Sequence, residues 1–164
     1  MNPIERLTDL FEKFPGIGPR QARRFVQFLL SEQAGFRSDL GDSIRHLGTE
    51  TGQCRKCYRW FAKSQEENGF CNICGNAKRD SGILFVVEKD ADIDNVEQSG
   101  FRGLYFVLGG TIPLASEEPE RHVRLRELLK RIETDAAHLH LNELILGLSA
   151  TTEGDHTRMI PHEK

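Results

Sequence analysis

No apolar run in this 164-residue chain approaches the roughly 20 residues that a membrane span requires. Met1-Asn2-Pro3-Ile4-Glu5-Arg6 is not a charged stretch followed by an apolar one, so it does not begin a secretory leader. Surplus positive charge is also missing. The chain has 22 Lys plus Arg against 25 Asp plus Glu, a formal net charge of −3, which argues against a histone-like DNA binder and against a membrane-surface protein. These absences point to the cytoplasm. What remains, 38% hydrophobic and 29% charged residues, is ordinary for a folded chain and excludes disorder throughout. The length suits one domain or two or three small modules.

The charge is unevenly placed. Residues 1–82 carry 13 basic and 10 acidic side chains, whereas residues 83–164 carry 9 and 15, so the halves are expected to do different jobs. Ile4, Leu7, Leu10, Phe11 and Phe14 recur at helical spacing behind Asn2 as N-cap and Pro3 at the first helical position. Phe14-Pro15-Gly16-Ile17-Gly18-Pro19 interrupts that pattern, and Arg20 to Leu30 resumes it with Ala22, Phe25, Val26, Leu29 and Leu30. Two helices joined by a glycine-flanked turn resemble a helix-hairpin-helix DNA-binding element. Gly16 and Gly18 let the backbone approach a phosphate, and the next helix offers free N–H groups and the positive end of its dipole. Arg20, Arg23 and Arg24 then neutralise neighbouring phosphates without reading sequence. The competing reading is an ordinary helical hairpin whose arginines face solvent. Residues 35–52 are glycine-punctuated, and Asp39, Leu40, Ile44 and Leu47 suggest one further short helix before Gly48.

Four cysteines follow as two C-x2-C pairs, Cys54 with Cys57 and Cys71 with Cys74, and none is left over. Four thiolates about 2.3 Å from one ion describe structural Zn²⁺, with every coordination position filled. A redox role lacks the thioredoxin-like context, and disulfides do not suit the cytoplasm. Basic residues exceed acids around the cysteines, so this module either touches nucleic acid or simply presents a solvated surface. Trp60 and Phe61 are expected to supply its small packing core rather than base-stacking platforms, since a zinc module has little else to bury.

From residue 83 the pattern changes. Ile83–Val87, Leu104–Leu108 and Leu144–Leu148 read as buried parallel strands, with helices over Asp90–Ser99 and Glu120–His140 between them. The order β-α-β-α-β gives a small α/β domain. Ligands gather at the carboxyl ends of such strands, which would group Glu88 with Glu153 and Asp155. That group is either a hard-ligand site for Mg²⁺ or a set of helix N-terminal acids.

In order and spacing, these parts resemble the RecR family of bacterial recombination-repair proteins nearly end to end. The matching residues are Asn2-Pro3, the Phe14 to Pro19 turn, both cysteine pairs, Val86-Val87-Glu88, Arg102-Gly103-Leu104-Tyr105, Leu108-Gly109-Gly110 and Thr152-Glu153-Gly154-Asp155. The resemblance implies a multi-module α/β protein. A helix-hairpin-helix region for DNA binding and oligomerisation would span 1–52, a four-cysteine zinc module 53–79, and a Toprim-like parallel α/β domain 80–164. It further implies a non-catalytic mediator that acts with RecO, and with RecF in some pathways, to load recombinase on gapped or single-stranded DNA. Dimers or tetrameric rings are expected. By the same resemblance Arg20, Arg23 and Arg24 lie on the DNA-facing helix, Cys54, Cys57, Cys71 and Cys74 ligate zinc, and Glu88, Glu153 and Asp155 form an acidic edge for partner docking.

The family continues beyond Asp155 through another helix and strand, whereas this sequence stops at Lys164, with Pro161 set to interrupt a helix. The α/β domain is therefore expected to be incomplete at its carboxyl end, which puts ring closure in question. The alternative to a binding protein is a Mg²⁺-dependent Toprim phosphoryl-transfer enzyme. Against it, Lys89 stands where active relatives of that fold carry glycine. Neither Tyr58, in the zinc module, nor Tyr105, in a buried strand, is presented as a nucleophile.

Overall fold

A computed structural model describes residues 1–116, 118 and 121–159. Glu120, the expected start of the second crossover helix, and the tail with Pro161 and His162 lie outside the described residues. No described helix is long and apolar enough to cross a membrane. The chain forms two compact units, Met1–Thr49 and Glu50–Lys164.

In the first unit, helix α1 (Pro3–Phe11) begins with a reciprocal cap. Asn2 Oδ1 accepts from the Glu5 N–H at 2.9 Å, and Glu5 Oε2 accepts from the Asn2 N–H at 2.9 Å. The chain then turns through Gly16 at φ +75°, a left-handed conformation that L side chains resist. Helix α2 (Pro19–Ser31) starts behind Gly18, which has no side chain to cap it. Ala22 and Val26 are buried, and Phe11 meets Phe25 edge-on at 5.6 Å between ring centroids. Helix α3 (Ala34–Glu50) is much longer than the short helix expected around residues 39–47. It runs through Gly35, Gly41 and Gly48, because glycine costs a helix only about 1 kcal/mol per residue. No proline between Pro19 and Pro113 breaks its hydrogen bonds.

The second unit opens with the cysteine knuckle. Strands β1 (Thr51–Gln53) and β2 (Trp60–Ala62) pair antiparallel, as do β3 (Glu66–Glu67) and β4 (Phe70–Cys71). Thr51 and Gly52 thus pair with the knuckle's own β2. A parallel sheet follows in the order β6-β5-β7, from β5 (Asp80–Val87), β6 (Gly103–Val107) and β7 (Glu143–Gly147). Helix α4 (Asp90–Gln98) makes the first crossover and α5 (Leu125–His138) the second, giving the three-stranded parallel core that the apolar runs predict. Helix α6 (Thr152–Met159) follows the last strand.

The period-two alternation of the strands divides the core between the two sheet faces. Leu84, Val86, Leu104 and Phe106 pack with Ile112, Val123, Leu125 and Leu128. Val87, Tyr105 and Val107 pack with Ile93 and with Cys54, Cys57, Phe61, Cys71, Ile73 and Cys74. The knuckle is therefore continuous with the sheet core, although the sequence suggests a separate module. It also caps the edge strand, since the Val107 N–H donates to the Cys57 carbonyl at 2.8 Å.

At the opposite end of β5, Arg79 Nη2 pairs with Glu97 Oε2 at 2.5 Å, and the Tyr105 hydroxyl donates to Glu97 Oε1 at 2.6 Å. The Arg79 guanidinium holds the Glu97 carboxyl below the usual carboxylate range, against a smaller opposing effect of burial. A carboxyl lowered on folding adds stability above its unfolded pKa, about 4.3, and loses that contribution as pH falls through the lower folded value. Glu97→Gln should thus cost about 1–3 kcal/mol at pH 7 in urea unfolding, with the difference from the parent shrinking below about pH 4. A pH-independent difference would mean that packing rather than charge holds this end of the sheet.

Candidate metal centre and nucleic-acid surface

The ligand atoms of Cys54, Cys57, Cys71 and Cys74 all lie within 4.8 Å of one another, and no other described group of three or more His, Cys, Asp or Glu converges in this way. The sulfurs of Cys57 and Cys71 are 3.7 Å apart. Tetrahedral thiolates at 2.3 Å from one ion would stand about 3.8 Å apart, so the donor set fits a single tetrahedral metal. Cys54, Cys57 and Cys71 are at most 1% exposed and Cys74 9%, and none forms a disulfide.

Local backbone geometry produces the convergence. The Tyr58 N–H donates to the Cys54 carbonyl at 2.8 Å, with Tyr58 itself at φ +62°, and the Gly75 N–H donates to the Cys71 carbonyl at 2.9 Å. A Cβ on Gly75 would lie 2.2 Å from the Glu67 carbonyl oxygen, so no larger residue fits this turn. Crowding the thiols drives their acidities apart. Hydrogen bonds from Cys57, Cys71 and Cys74 lower Cys54, while Cys57 and Cys74 are raised, each chiefly by its contact with Cys54. For Cys71, Cys54 acts upward but Cys57 and Cys74 outweigh it, bringing the thiol down to about 6. A bound cation removes this conflict by stabilising all four thiolates together.

Helix α5 grips the knuckle from the sheet side. Arg131 Nη1 donates to the Lys56 carbonyl at 2.7 Å, between the two ligands of the first pair, and Arg131 Nε pairs with Asp135 Oδ2 at 2.5 Å. Arg124 stacks over the Tyr58 ring, which meets Phe106 at 5.4 Å. Sequence reasoning missed this contact, although a basic residue with an acid four positions later on an apolar helix stripe was an available signal. Phe61 is buried as expected, but Trp60 is not. It is 58% exposed, because adjacent residues of a strand point to opposite sides and Phe61 takes the inner one.

Arg20, Arg23 and Arg24 are exposed on one side of α2 and line a shallow concavity with Pro19, Gln27, Thr8 and Glu12. Gly16 and Gly18 precede Pro19 in the chain, with no heavy atom beyond their chain neighbours within 4 Å of where a side chain would begin. The acidic residues are arranged differently. The Glu88 carboxylate is 13% exposed, accepts from the Ser149 N–H at 3.3 Å and lies 3.4 Å from Lys89 Nζ. Burial works to raise its pKa, but the Ser149 and Lys89 contacts together hold it below the usual carboxylate range. Glu153 accepts from the Thr111 hydroxyl at 3.4 Å, while Asp155 pairs with Arg158 at 2.9 Å.

These three acids do not converge, which corrects the expectation of a carboxylate cluster for Mg²⁺. The reason is that residues 152–159 are helical. Residues two apart on a helix diverge by about 200°, so Glu153 and Asp155 cannot close on one ion. Both lie in the first turn of α6, as the competing reading of helix N-terminal acids has it.

Comparison with known proteins agrees with this architecture. The Toprim domain family matches residues 82–160. Recombination protein RecR of Prochlorococcus marinus (strain MIT 9515) is 36% identical over 159 residues, covering 96% of this chain and 75% of that protein. The RecR proteins of Synechococcus sp. (strain CC9605) and Rickettsia prowazekii (strain Madrid E) are also 36% identical, over 95% of this chain and 78% and 74% of their own lengths.

Protein purified under reducing conditions should carry one tightly held metal per chain, readable by elemental analysis. Cobalt substitution should give the intense absorption of a tetrahedral thiolate site. Gly75→Ala should lower the retained metal, because its Cβ would push the second cysteine pair apart. Cysteines that all react with a thiol reagent at the rate of free thiols in the untreated protein would contradict the assignment.

Proposed function

Because the chain belongs to the RecR family of recombination proteins, we propose that it is a DNA-binding mediator of recombinational repair. In this reading it acts in the cytoplasm with RecO, and with RecF where that pathway operates, to promote recombinase loading on gapped or single-stranded DNA. One observation carries the reading. The likeness to RecR proteins extends over 96% of the chain, and within it the three arginines of α2 stand together on one open face beside the Gly16–Gly18 turn. Zn²⁺ is the metal assigned to the cysteines, since four thiolates in tetrahedral array suit it and leave no open position for chemistry.

Self-association belongs to the same proposal. Helix α3 is 17 residues long and buries none of them, and Phe36, Leu40 and Ile44 are exposed at four-residue spacing. In water such a helix draws its stability from a packed partner. A second copy would supply that partner and would also present several arginine faces to one DNA, raising a weak affinity through avidity.

The non-catalytic reading is supported by the divergence of the three acids, by the pairing of Glu88 with Lys89, and by the full burial of Tyr105. Glu88, Glu153 and Asp155 are then read as an acidic docking edge. Under this reading Mg²⁺ with nicked, gapped or supercoiled DNA should give no cleavage or relaxation. Activity that is lost in Glu88→Gln would replace the binding protein with an enzyme.

DNA binding should be independent of sequence and steeply dependent on salt. Arg23→Ala combined with Arg24→Ala should weaken it at low salt and lower the log–log salt slope by about two. Equal affinity and equal slope in parent and double variant would remove α2 as the contact surface.

A further inference from the structure

Trp60 is the only tryptophan in the chain, and it stands 58% exposed at the start of β2. Its strand partner is Gln53, and its neighbours on the same side of the β1–β2 ribbon, Thr51 and Ala62, are small. Phe61 takes the inner side at 8% exposure. The backbone beneath the indole is fixed, since the Trp60 N–H donates to Asp90 Oδ2 at 2.9 Å and ties β2 to the first turn of α4. The packing of the knuckle therefore does not account for the ring, which is held in water on a rigid mount.

Along the chain on either side of Trp60 the charge has one sign, although the Asp90 carboxylate reaches the Trp60 N–H from α4. From Thr51 to Gln65 the chain carries Arg55, Lys56, Arg59 and Lys63 and no acid. The Asp90 carboxylate under the ribbon is itself in the field of Arg59 and Arg124. A protein-docking surface would be centred on a cluster of apolar anchors. Among the described residues from 50 to 113, Trp60 is the one large hydrophobic side chain left exposed. A lone exposed aromatic face on a cationic segment suits a polymer that offers flat bases on a polyanionic backbone. Duplex DNA keeps its bases stacked on one another, so only an unpaired strand offers such a face.

We infer that Trp60 is a base-stacking platform for single-stranded nucleic acid, carried on a segment of the chain whose own charges are all positive. This adds a contact of a different kind to the arginine face of α2, and it rests on the proposed DNA-binding role for the class of polymer.

Because the chain has a single tryptophan, its emission reports directly on this residue. The full metal-loaded chain would be titrated at low salt with a dT oligonucleotide of about 12 nucleotides, a length within the range that single-strand sites cover, and with a duplex of the same length. The oligonucleotide should quench the emission and the duplex should not. Trp60→Ala should weaken single-strand binding roughly 5- to 150-fold while leaving duplex affinity and bound metal unchanged, and Trp60→Phe should recover most of the loss. Unchanged emission on binding, together with equal single-strand affinity in Trp60→Ala, would overturn the proposal. If that result came with duplex binding still weakened by the α2 double variant, the DNA-binding role would survive without this platform. Absence of binding to either polymer would remove both. Quenching by an acidic peptide but not by the oligonucleotide would make this a protein-docking face and overturn the proposal as well.

Discussion

Four sulfurs drawn to one point are the constraint on which the second unit depends. The knuckle contributes little apolar mass of its own. Phe61 and Ile73 are its buried side chains besides the cysteines, far less than a free-standing module of this size needs. Its stability therefore comes from the metal and from the sheet. The sheet in turn relies on the knuckle, because β6 is an edge strand whose Val107 N–H would otherwise lack a protein partner, and because one of its two faces is filled by the cysteine core. Arg131 joins the two from α5, with Asp135 balancing its buried charge. Metal binding and folding of the α/β domain are thus parts of one free-energy balance.

The first unit is built on a different principle. Its interior amounts to Thr8, Ala22, Val26 and the Phe11–Phe25 contact, while Ile4, Leu10, Phe14, Phe28, Leu30 and Ile44 remain exposed. The unit is thinly packed, and its face on α2 carries the arginines. The charge along the sequence divides in the same way, with the basic excess in the half that carries the α2 arginines and the acidic excess on the Toprim domain.

Much of this is legible in the amino-acid sequence. Asn2-Pro3, the glycine-flanked turn, the spacing of the cysteines and the three apolar runs each impose a local geometry that tertiary context does not override. The rest is hidden for physical reasons. The glycines near 35–48 suggest a break, yet a helix tolerates them when no proline intervenes. Glu153 and Asp155 after the third strand suggest acids that could group with Glu88 on one ion, and their helical conformation separates them. Trp60 beside Phe61 suggests a pair of core residues, although neighbours in a strand cannot both face inward, a rule that applies once β2 is recognised. The continuity of knuckle and sheet rests on contacts between residues about 75 apart in the chain, such as Arg131 with Lys56, which no local pattern encodes.

The most direct test of the account is hydrogen exchange, followed by mass spectrometry, before and after removal of the metal by a chelator under reducing conditions. If the knuckle and sheet share one core, amides of β6 and of the Lys56 segment should lose protection together, while those of α1 and α2 keep theirs. Protection of β6 that persists while residues 54–74 exchange freely would show that the metal holds only its own loop, and the central claim would fail.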